Sequence, residues 1–380
     1  MSGAPSSPHV VLVNLALVPG LEPGELLGRL PGLGRFAEAL ASAGARATVV
    51  ARAGRAAEVR AGGVRLVAVH DGDEPFRPRR DPSLAVARTV AGLAPDVVHV
   101  GGLLFPVPSA ALRARLPRRV PLLLQHHGEP PGAGRLGLLQ RSLLRFADGA
   151  LFTGREIADE WIASRALPPR MPIHEVLEAS TDLRPVDRAA ARAATRMDGD
   201  PALLWVGRLH PRKDPLTGLR AFAAALDRLP AARLHLVYGE APLRPEVEKL
   251  CAASPALAGA VRLVGPVAHE ELPAWYSAAD LFLTSSASEG SNWALIEAMA
   301  CGLPAVATDI PANRRVGAPG TSFFPPGAPG AGADAIVHAA LAPRDRGAIR
   351  DHFARRLSWT VVAREALAAY EAALARSRAA

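Results

Sequence analysis

Short apolar runs alternate regularly with amphipathic helical patterns along this chain, and few folds accommodate that rhythm. Apolar runs of this length predict strands that are buried on both faces, as in a parallel sheet. A first series of strands is predicted at Val10–Leu15, Ala47–Val50, Val64–Val69, Val97–Val100 and Leu122–Leu124, with helices at Arg35–Ala43 and Leu84–Leu93. A second series has strands at Ala202–Val206, Leu234–Val237, Val261–Val264, Leu281–Thr284 and Ala305–Thr308, with helices at Leu216–Leu229, Pro245–Ala253, Leu272–Ala278 and Trp293–Ala300. The two series predict an α/β protein with two Rossmann-like, parallel-sheet domains.

The length of 380 residues also favours two domains over one hydrophobic core. The predicted joint lies at Glu178–Arg196, where a strand-like Ile173–Leu177 gives way to polar residues and Pro185. We therefore predict an N-terminal domain at residues 1–180 and a C-terminal domain at residues 181–356, with a helix at about 357–380 that packs back on the first domain. The proline- and glycine-rich Pro319–Gly332 is predicted to be an exposed loop.

A formal net charge of +8 and a pI near 10.5 predict attraction to nucleic acid, an anionic membrane surface or phosphorylated small molecules. The arginines are scattered, as in Arg77, Arg79 and Arg80 or Arg141 and Arg145, and aromatic residues make up only 5% of the chain. Stacking on bases is therefore poorly supported, and nucleic acid is the least favoured partner. Peripheral contact with an anionic inner membrane face remains a hypothesis.

The remaining bulk features point to a cytoplasmic protein. Cys251 and Cys301 lie far apart without metal-ligand spacing, which indicates a reducing compartment. The apolar stretch Val10–Val18 lacks a preceding basic region and contains Asn14, so it is interpreted as a buried strand rather than a signal peptide.

Two segments of the second series carry the residues for chemistry. In Trp205–Pro215, a strand ends at Gly207, and Asp214–Pro215 has the signature of a helix start. Arg208 and Lys213 are then placed in a loop above the carboxyl end of a strand. An arginine fork and a lysine charge suit a diphosphate, although two solvated cations in a polar loop explain the segment equally well.

In Ser288–Gly302, two carboxylates flank a Gly-Ser-Asn turn that opens into a helix. Glu289 lies in the loop before the helix, and Glu297 lies about one and a half turns into it. Main-chain N–H groups between them could hold an anion, and both carboxylates could accept hydrogen bonds from sugar hydroxyls. The alternative is that both are surface carboxylates, with Glu297 placed where the helix dipole favours it.

In combination, these two segments are similar to those of family-4 retaining glycosyltransferases of the GT-B fold. Further similarities follow in the family's order at Pro95–His99, Gln125–Glu129, Gly265-Pro266-Val267 with Leu272–Asp280, and Ser358-Trp359. The resemblance implies two Rossmann-like domains that face an interdomain cleft. It implies that the C-terminal domain binds a nucleotide diphosphate sugar, and that the N-terminal domain binds a hydroxylated acceptor, which is a glycan, a lipid-linked compound or a small molecule.

The resemblance also implies individual roles. Arg208 and Lys213 would neutralise the donor diphosphate, Glu289 would orient the sugar, and Glu297 would bind the ribose. His127, which precedes a glycine as the family's histidine does, would reach the sugar from the other domain, while the role of His126 stays open. A structural role as a buried histidine at a strand end remains an alternative for each. The other residues implied in donor binding are Gly207, Gly265, Pro266, Val267, Gly290, Ser291, Asn292 and Trp293.

The chain departs from the family in two loops. Ser291 and Asn292 stand where the family commonly has an aromatic residue and a second glycine, and we expect Asn292 to sustain the turn because asparagine tolerates a left-handed backbone. The family's glycine pair in the first loop is missing, and Pro31-Gly32-Leu33-Gly34 is predicted to form a loop there before the helix at Arg35.

Two Asp-X-Asp triplets, Asp71-Gly72-Asp73 and Asp198-Gly199-Asp200, are interpreted as turns, and the resemblance implies neither a metal nor a cofactor. We therefore expect full activity in EDTA. Two alternatives to a glycosyltransferase remain: a phosphorylase or synthase that uses sugar phosphates, and an inactive paralogue that binds nucleotide or partners an enzyme. A dehydrogenase is disfavoured, because no Gly-X-Gly-X-X-Gly follows an early strand.

Overall fold

The computed structural model describes residues 7–16, 31–72 and 81–379, which form two compact units. The first unit comprises the described residues of Met1–Ala179 and Trp359–Ala380, and the second unit is Ser180–Ser358. Each unit contains its own sheet and its own hydrophobic cluster. Among the described residues, no helix combines the length and the apolar character needed to cross a membrane.

The first unit is built on an eight-stranded sheet of order β3-β4-β2-β1-β5-β6-β7-β8. The strands are β1 His9–Asn14, β2 Arg46–Ala53, β3 Ala57–Ala61, β4 Val64–His70, β5 Val97–Gly101, β6 Leu122–Gln125, β7 Gly149–Phe152 and β8 Ile173–Glu175. All neighbours are parallel except β3 and β4. The prediction missed β3 and β7. The β3–β4 hairpin turns at Gly62 and Gly63, whose φ values of 58° and 78° suit glycine.

Helices cover the first sheet. They are α1 Pro31–Ser42, α2 Leu84–Gly92, α3 Pro106–Arg115, α4 Gly134–Leu143, α5 Arg155–Ala163 and, after the second unit, α15 Trp359–Ala379. A 3₁₀ turn, Leu144–Phe146, follows α4. The last helix, α15, packs on α1, and its Tyr370 hydroxyl lies 2.5 Å from Nδ1 of His99 on β5.

The second unit is built on a six-stranded sheet of order β11-β10-β9-β12-β13-β14, in which all neighbours are parallel. Its strands are β9 Ala202–Val206, β10 Arg233–Val237, β11 Val261–Gly265, β12 Leu281–Thr284, β13 Ala305–Thr308 and β14 Ser322–Phe324. Its helices are α6 Arg188–Thr195, α7 Pro215–Ala225, α8 Arg244–Ala253, α9 Pro255–Ala258, α10 Leu272–Ala278, α11 Trp293–Ala300, α12 Pro311–Val316, α13 Pro329–Leu341 and α14 Arg346–Arg356. The predicted fold class, with two Rossmann-like parallel-sheet domains, is confirmed.

Two predicted loops are wrong. Pro31-Gly32-Leu33-Gly34 opens α1 instead of preceding it, because proline suits the first helical position. The segment Pro319–Gly332 contains β14 and the first residues of α13. Its Phe324 is 1% exposed and pairs with Thr308 of β13, so burial of this aromatic residue outweighs the local proline and glycine content. Asp73, Val18 and Arg77–Arg80 lie outside the described residues.

Candidate functional site

In the second sheet, the chain changes direction between β9 and β12. From β9 it runs to β10 on one side, and β12 returns to the other side of β9. Loops that leave such neighbouring strands diverge at the carboxyl edge, and the crevice between them is the usual ligand site of parallel α/β sheets. The two segments singled out in the sequence, residues 207–214 and 285–292, are the loops that follow β9 and β12.

These two loops are fastened to each other. The main-chain N–H of Ala287 donates to the carbonyl of Arg212 at 2.8 Å, and the hydroxyl of Ser285 donates to the carbonyl of Asp214 at 2.7 Å. Gly218 on α7 permits this approach, because a Cβ at that position would lie 2.8 Å from the Ser285 oxygen. Asp214 caps α7 by accepting the N–H of Thr217 at 3.1 Å. The part of the loop that carries Lys213 is therefore held on both sides of this residue, at Arg212 and at Asp214.

Lys213 and Glu289 form an ion pair across the crevice. The Lys213 ammonium lies 2.5 Å from Oε1 of Glu289, and the two side chains are only 17% and 8% exposed. Removing two charges from water costs desolvation energy. Charged pairs of this kind are common at functional sites, so we take Lys213 and Glu289 as the centre of the candidate site. The interpretation of Glu289 as a surface carboxylate is wrong.

Asn292, three residues after Glu289, anchors the start of α11. Its amide donates to Oγ1 of Thr284 at 3.1 Å and to Oδ1 of Asn313 at 2.9 Å, and Asn313 in turn donates to the carbonyl of Thr308 at 2.9 Å. The expected left-handed backbone is wrong, since Asn292 has φ −69° and ψ 91°. The asparagine sustains this turn through its buried amide, which links the ends of β12 and β13.

Glu297 lies on α11 with 7% exposure, so its interpretation as a surface carboxylate is also wrong. Its Oε2 accepts a hydrogen bond of 2.7 Å from the hydroxyl of Tyr276, which is fully buried on α10. Burial raises the pKa of Glu297, while the Tyr276 hydrogen bond and the charges of His269 and Lys213 oppose that rise. Burial and the nearby Glu297 raise the pKa of Tyr276 well above its usual value.

The other predicted donor residues lie at the same carboxyl edge with different surroundings. Arg208 follows β9 but is half exposed, and its Nη1 lies 3.4 Å from Oε2 of Glu240 rather than in the Lys213–Glu289 pair. Gly265 ends β11, two strands away from β9, and its carbonyl accepts the N–H of Tyr238 at 3.0 Å. The remaining predicted residues are the exposed Pro266, the half-buried Val267 and Gly207, the buried Gly290 and Ser291, and Trp293, which is 40% exposed.

In the first unit, His126 and His127 follow β6 and have different surroundings. His126 is 2% exposed, stacks on Phe152 with ring centroids 4.9 Å apart, and places Nε2 2.9 Å from the carbonyl of Glu129. These contacts give His126 a structural role in the core. His127 has a 45% exposed side chain, so its ring is the one accessible to a ligand.

His127 is positioned by two carboxylates. Its Nδ1 lies 2.5 Å from Oε2 of Glu178, and its main-chain N–H donates to Oε2 of Glu129 at 2.8 Å. Partial burial lowers the pKa of His127, but the charges of Glu178 and Glu129 outweigh it and leave the pKa above its usual value. Glu129 also accepts the N–H of Leu103, which ties the loops after β5 and β6 together.

Sequence reasoning assigned no role to Glu178, Glu129 or Tyr276. Glu178 follows β8, at the same sheet edge as His127, so a survey of carboxylates that follow strands could have found it. Tyr276 gave no such signal, since it lies within an apolar helix. In the three described ranges, no cluster of three or more His, Cys, Asp and Glu side chains could hold a metal ion. Oδ1 of Asp198, which belongs to one of the Asp-X-Asp triplets, lies 3.4 Å from Nε2 of His235.

Two family models match this chain. The model of glycosyl transferases group 1 matches residues 200–341, and the glycosyl transferase 4-like domain matches residues 31–176. The first match lies in the second unit and the second match lies in the first unit. The two models therefore follow the division of the chain.

Curated relatives carry one recurring name. D-inositol 3-phosphate glycosyltransferase of Kribbella flavida is 32% identical over 263 residues, which cover 64% of this chain and 60% of that protein. The protein of the same name from Rhodococcus erythropolis is 37% identical over 136 residues, or 34% of this chain and 31% of the relative. This chain thus spans less than two thirds of the length of these relatives.

Solved structures show the same fold over nearly the whole chain. Sucrose-phosphate synthase from Thermosynechococcus elongatus superposes with a TM-score of 0.73 at 22% identity, covering 97% of this chain and 100% of that chain. The Anabaena protein HepE, solved with UDP-glucose, has a TM-score of 0.68 at 16% identity and covers 95% and 99%. With both family models matched in order, this chain belongs to the group 1 glycosyl transferases and has their GT-B fold.

Proposed function

We propose that this protein is a retaining glycosyltransferase that moves a sugar from a nucleotide diphosphate sugar to a hydroxyl group of an acceptor. The observation that carries the proposal is the Lys213–Glu289 pair, held with little solvent at the crevice between β9 and β12. Membership of the group 1 glycosyl transferases supports the reaction class.

Lys213 is suited to the donor diphosphate. An ammonium group has three hydrogens, and one of them is directed at Glu289, which leaves two for phosphate oxygens. In a site with little solvent, a fixed cation stabilises the negative charge that grows on the departing diphosphate. Arg208, half exposed at the same edge, adds a second cation that can swing onto the phosphates.

The two carboxylates suit the hydroxyl groups of the donor. Glu289, paired with Lys213, accepts hydrogen bonds from the transferred sugar, while main-chain N–H groups from Gly290 to Trp293 contact the sugar and phosphate. Glu297 has one oxygen bound to Tyr276 and offers the other to a ribose hydroxyl. The nucleotide part of the donor contains both a ribose and a diphosphate, so the same edge of the crevice can bind the two groups together.

The first unit supplies the acceptor side and His127, whose ring is directed by Glu178. In the proposed reaction, the acceptor oxygen bonds to the anomeric carbon on the face from which the diphosphate leaves. The bond between that carbon and the phosphate oxygen breaks, and the acceptor proton passes to the leaving phosphate. No protein nucleophile and no metal take part.

For the donor base we favour uracil, because HepE of the same fold was solved with UDP and with UDP-glucose. The acceptor is a glycan, a lipid-linked compound or a small polyol. Inositol 3-phosphate belongs in any screen, given the name shared by the curated relatives.

The test is a thermal-shift screen with UDP-, GDP- and ADP-sugars, followed by transfer assays in EDTA and NMR of the product. We expect stabilisation by one nucleotide series, transfer in EDTA, and an anomeric configuration equal to that of the donor. An inverted product would refute the retaining reaction. Turnover of a sugar 1-phosphate without nucleotide would indicate a phosphorylase, and nucleotide binding without hydrolysis or transfer would indicate an inactive paralogue.

A further inference from the structure

One part of the first unit has a clear excess of positive charge. Between residues 103 and 148 there are seven arginines but only two acidic residues, a net charge of +5 out of the +8 of the whole chain. The arginines appear scattered along the sequence. The fold places them on α3, on the loop after it, on α4 and on the 3₁₀ turn, and these helices pack against one another.

Neither acidic residue of this segment neutralises the exposed arginines. Asp148 is bound to Arg113 at 3.1 Å and accepts the main-chain N–H of Leu122 at 2.8 Å. Glu129 is buried and accepts main-chain N–H groups of Leu103 and His127. The exposed arginines are therefore not paired with an acidic side chain of their own segment.

One side of α4 and the 3₁₀ turn mixes arginine with large apolar side chains. Leu136, Gln140 and Leu144 face inward and are buried. The outward side consists of Arg135, Leu138, Arg141, Arg145 and Phe146, which we call the basic face; Leu138 is 59% exposed and Phe146 is 46% exposed. The exposed Arg115, Arg118 and Arg119 of α3 and its following loop add to the charge.

We propose that the basic face is a docking surface for an anionic lipid bilayer. Arginine heads suit lipid phosphates, and their stems can lie along the apolar boundary while the charge stays at the headgroups. Leu138 and Phe146 then enter the acyl boundary, as the apolar residues of an interfacial helix do. This arrangement explains why two large apolar side chains stay exposed among cations.

A bilayer fits this surface better than a nucleic acid. Base stacking needs open aromatic faces, and the one aromatic residue of the basic face, Phe146, is covered by the Arg145 guanidinium at 4.9 Å from the ring centroid. A nucleic acid backbone also has no apolar surface against which the exposed Leu138 side chain could be buried. The inference does not depend on sugar transfer, because the donor residues lie in the second unit.

The experiment is cosedimentation of the whole protein with vesicles of phosphatidylcholine, with or without phosphatidylglycerol, at low and high salt. We expect binding only to the vesicles that contain phosphatidylglycerol, and loss of that binding at high salt. Equal binding to both vesicle types, or no binding at low salt, would overturn the proposal.

Two sets of variants locate the surface. The triple variant Arg135→Gln/Arg141→Gln/Arg145→Gln should lower partitioning about a hundredfold, from about fivefold for each arginine near an anionic surface. A control triple in the second unit, Arg228→Gln/Arg244→Gln/Arg355→Gln, removes the same charge at positions that are 47%, 59% and 70% exposed, and should change partitioning less than about twofold. Equal losses in the two triples would show that only net charge matters and would refute the basic face.

The variant Leu138→Gln/Phe146→Gln keeps every charge and separates a bilayer from other anions. We expect about a tenfold loss of partitioning, because two partly inserted apolar side chains are removed. Unchanged partitioning, or tighter binding of a DNA duplex that is lost in the arginine triple, would refute the bilayer as the partner. Thermal shift by nucleotide is measured in parallel, so a failed donor site and a failed docking surface give different results.

Discussion

Lys213–Glu289 in the second unit and His127–Glu178 in the first unit are both ion pairs of 2.5 Å that follow strands of a parallel sheet. The surroundings of the two cations differ. The Lys213 side chain is 17% exposed and lies in a loop fastened by main-chain hydrogen bonds, whereas the His127 side chain is 45% exposed. Lysine also keeps its charge near neutral pH, while histidine titrates there. Of the two pairs, the one in the first unit is thus expected to give a pH-dependent effect, because its carboxylate raises the pKa of His127.

The largest expected effect comes from removal of the Lys213 ammonium group. Lys213→Ala should lower kcat/KM about 10³-fold, because a preorganised cation near the leaving group is lost. Initial rates of transfer measure this, with Lys249→Ala on the exposed side of α8 as the control. The unpaired Glu289 is expected to cost stability as well, about 3 kcal/mol, so Glu289→Gln serves as a second variant with less strain on the fold. If both variants transferred sugar at the rate of the unmodified protein, the Lys213–Glu289 pair would not be part of the active site.

For the His127–Glu178 pair we expect a smaller effect on activity, and one that depends on pH. Glu178→Gln should lower kcat/KM about tenfold, as expected for loss of a residue that orients a ligand-contacting group. Because Glu178 raises the pKa of His127, the variant should lower it, and the limb where activity falls with rising pH should move to lower pH. The stability from this pair is complete below the unfolded pKa of His127 and is lost as pH rises through the raised folded value.

Glu160→Gln on the exposed end of α5 is the matched control for Glu178→Gln. A pH profile of Glu178→Gln that keeps its position, with a uniform loss of rate, would assign Glu178 a structural role only. A full rate at every pH would show that His127 needs no carboxylate partner.

The smallest effect concerns the ribose carboxylate. Tyr276→Phe removes the hydrogen bond to Glu297, and we expect about fivefold weaker binding of the nucleotide, or about 1 kcal/mol. Titration calorimetry with UDP measures this. Tyr370→Phe in the first unit also loses one buried hydroxyl contact, to His99, and should lower stability without changing nucleotide affinity. Equal affinities in the two variants would contradict the role of Glu297.

Much of the fold was predictable because its strands are apolar on both faces. All ten strands predicted from the two apolar series are present. Two of the missed strands lacked that signal: β3 has alternating small and polar residues at a sheet edge, and β14 lies in a segment rich in proline and glycine. The third, β7, is apolar and buried but is only four residues long. The order of the strands did not follow from the sequence, since it depends on contacts between distant residues.

The candidate site was predictable in its residue types and less so in its pairings. The spacing of Glu289 and Glu297 on a loop and a helix follows from local rules of helix starts, as does the cap at Asp214. The partners of these residues come from other elements: Tyr276 from α10 for Glu297, and Glu178 from the end of β8 for His127. Asn292 shows the limit most clearly, because a local conformational preference was expected and a buried amide network was found.

The amino-acid order alone was enough for the fold class, the two units and the charged residues beside the crevice, because each depends on local periodicity and on loops next to strand ends. The tertiary structure was needed for the rest. It separated His126 from His127, buried Glu297, paired Glu289 with Lys213, and gathered arginines that are dispersed in sequence onto one surface. The reason is physical: burial, charge pairing and surface potential depend on distances in space, which chain spacing does not specify.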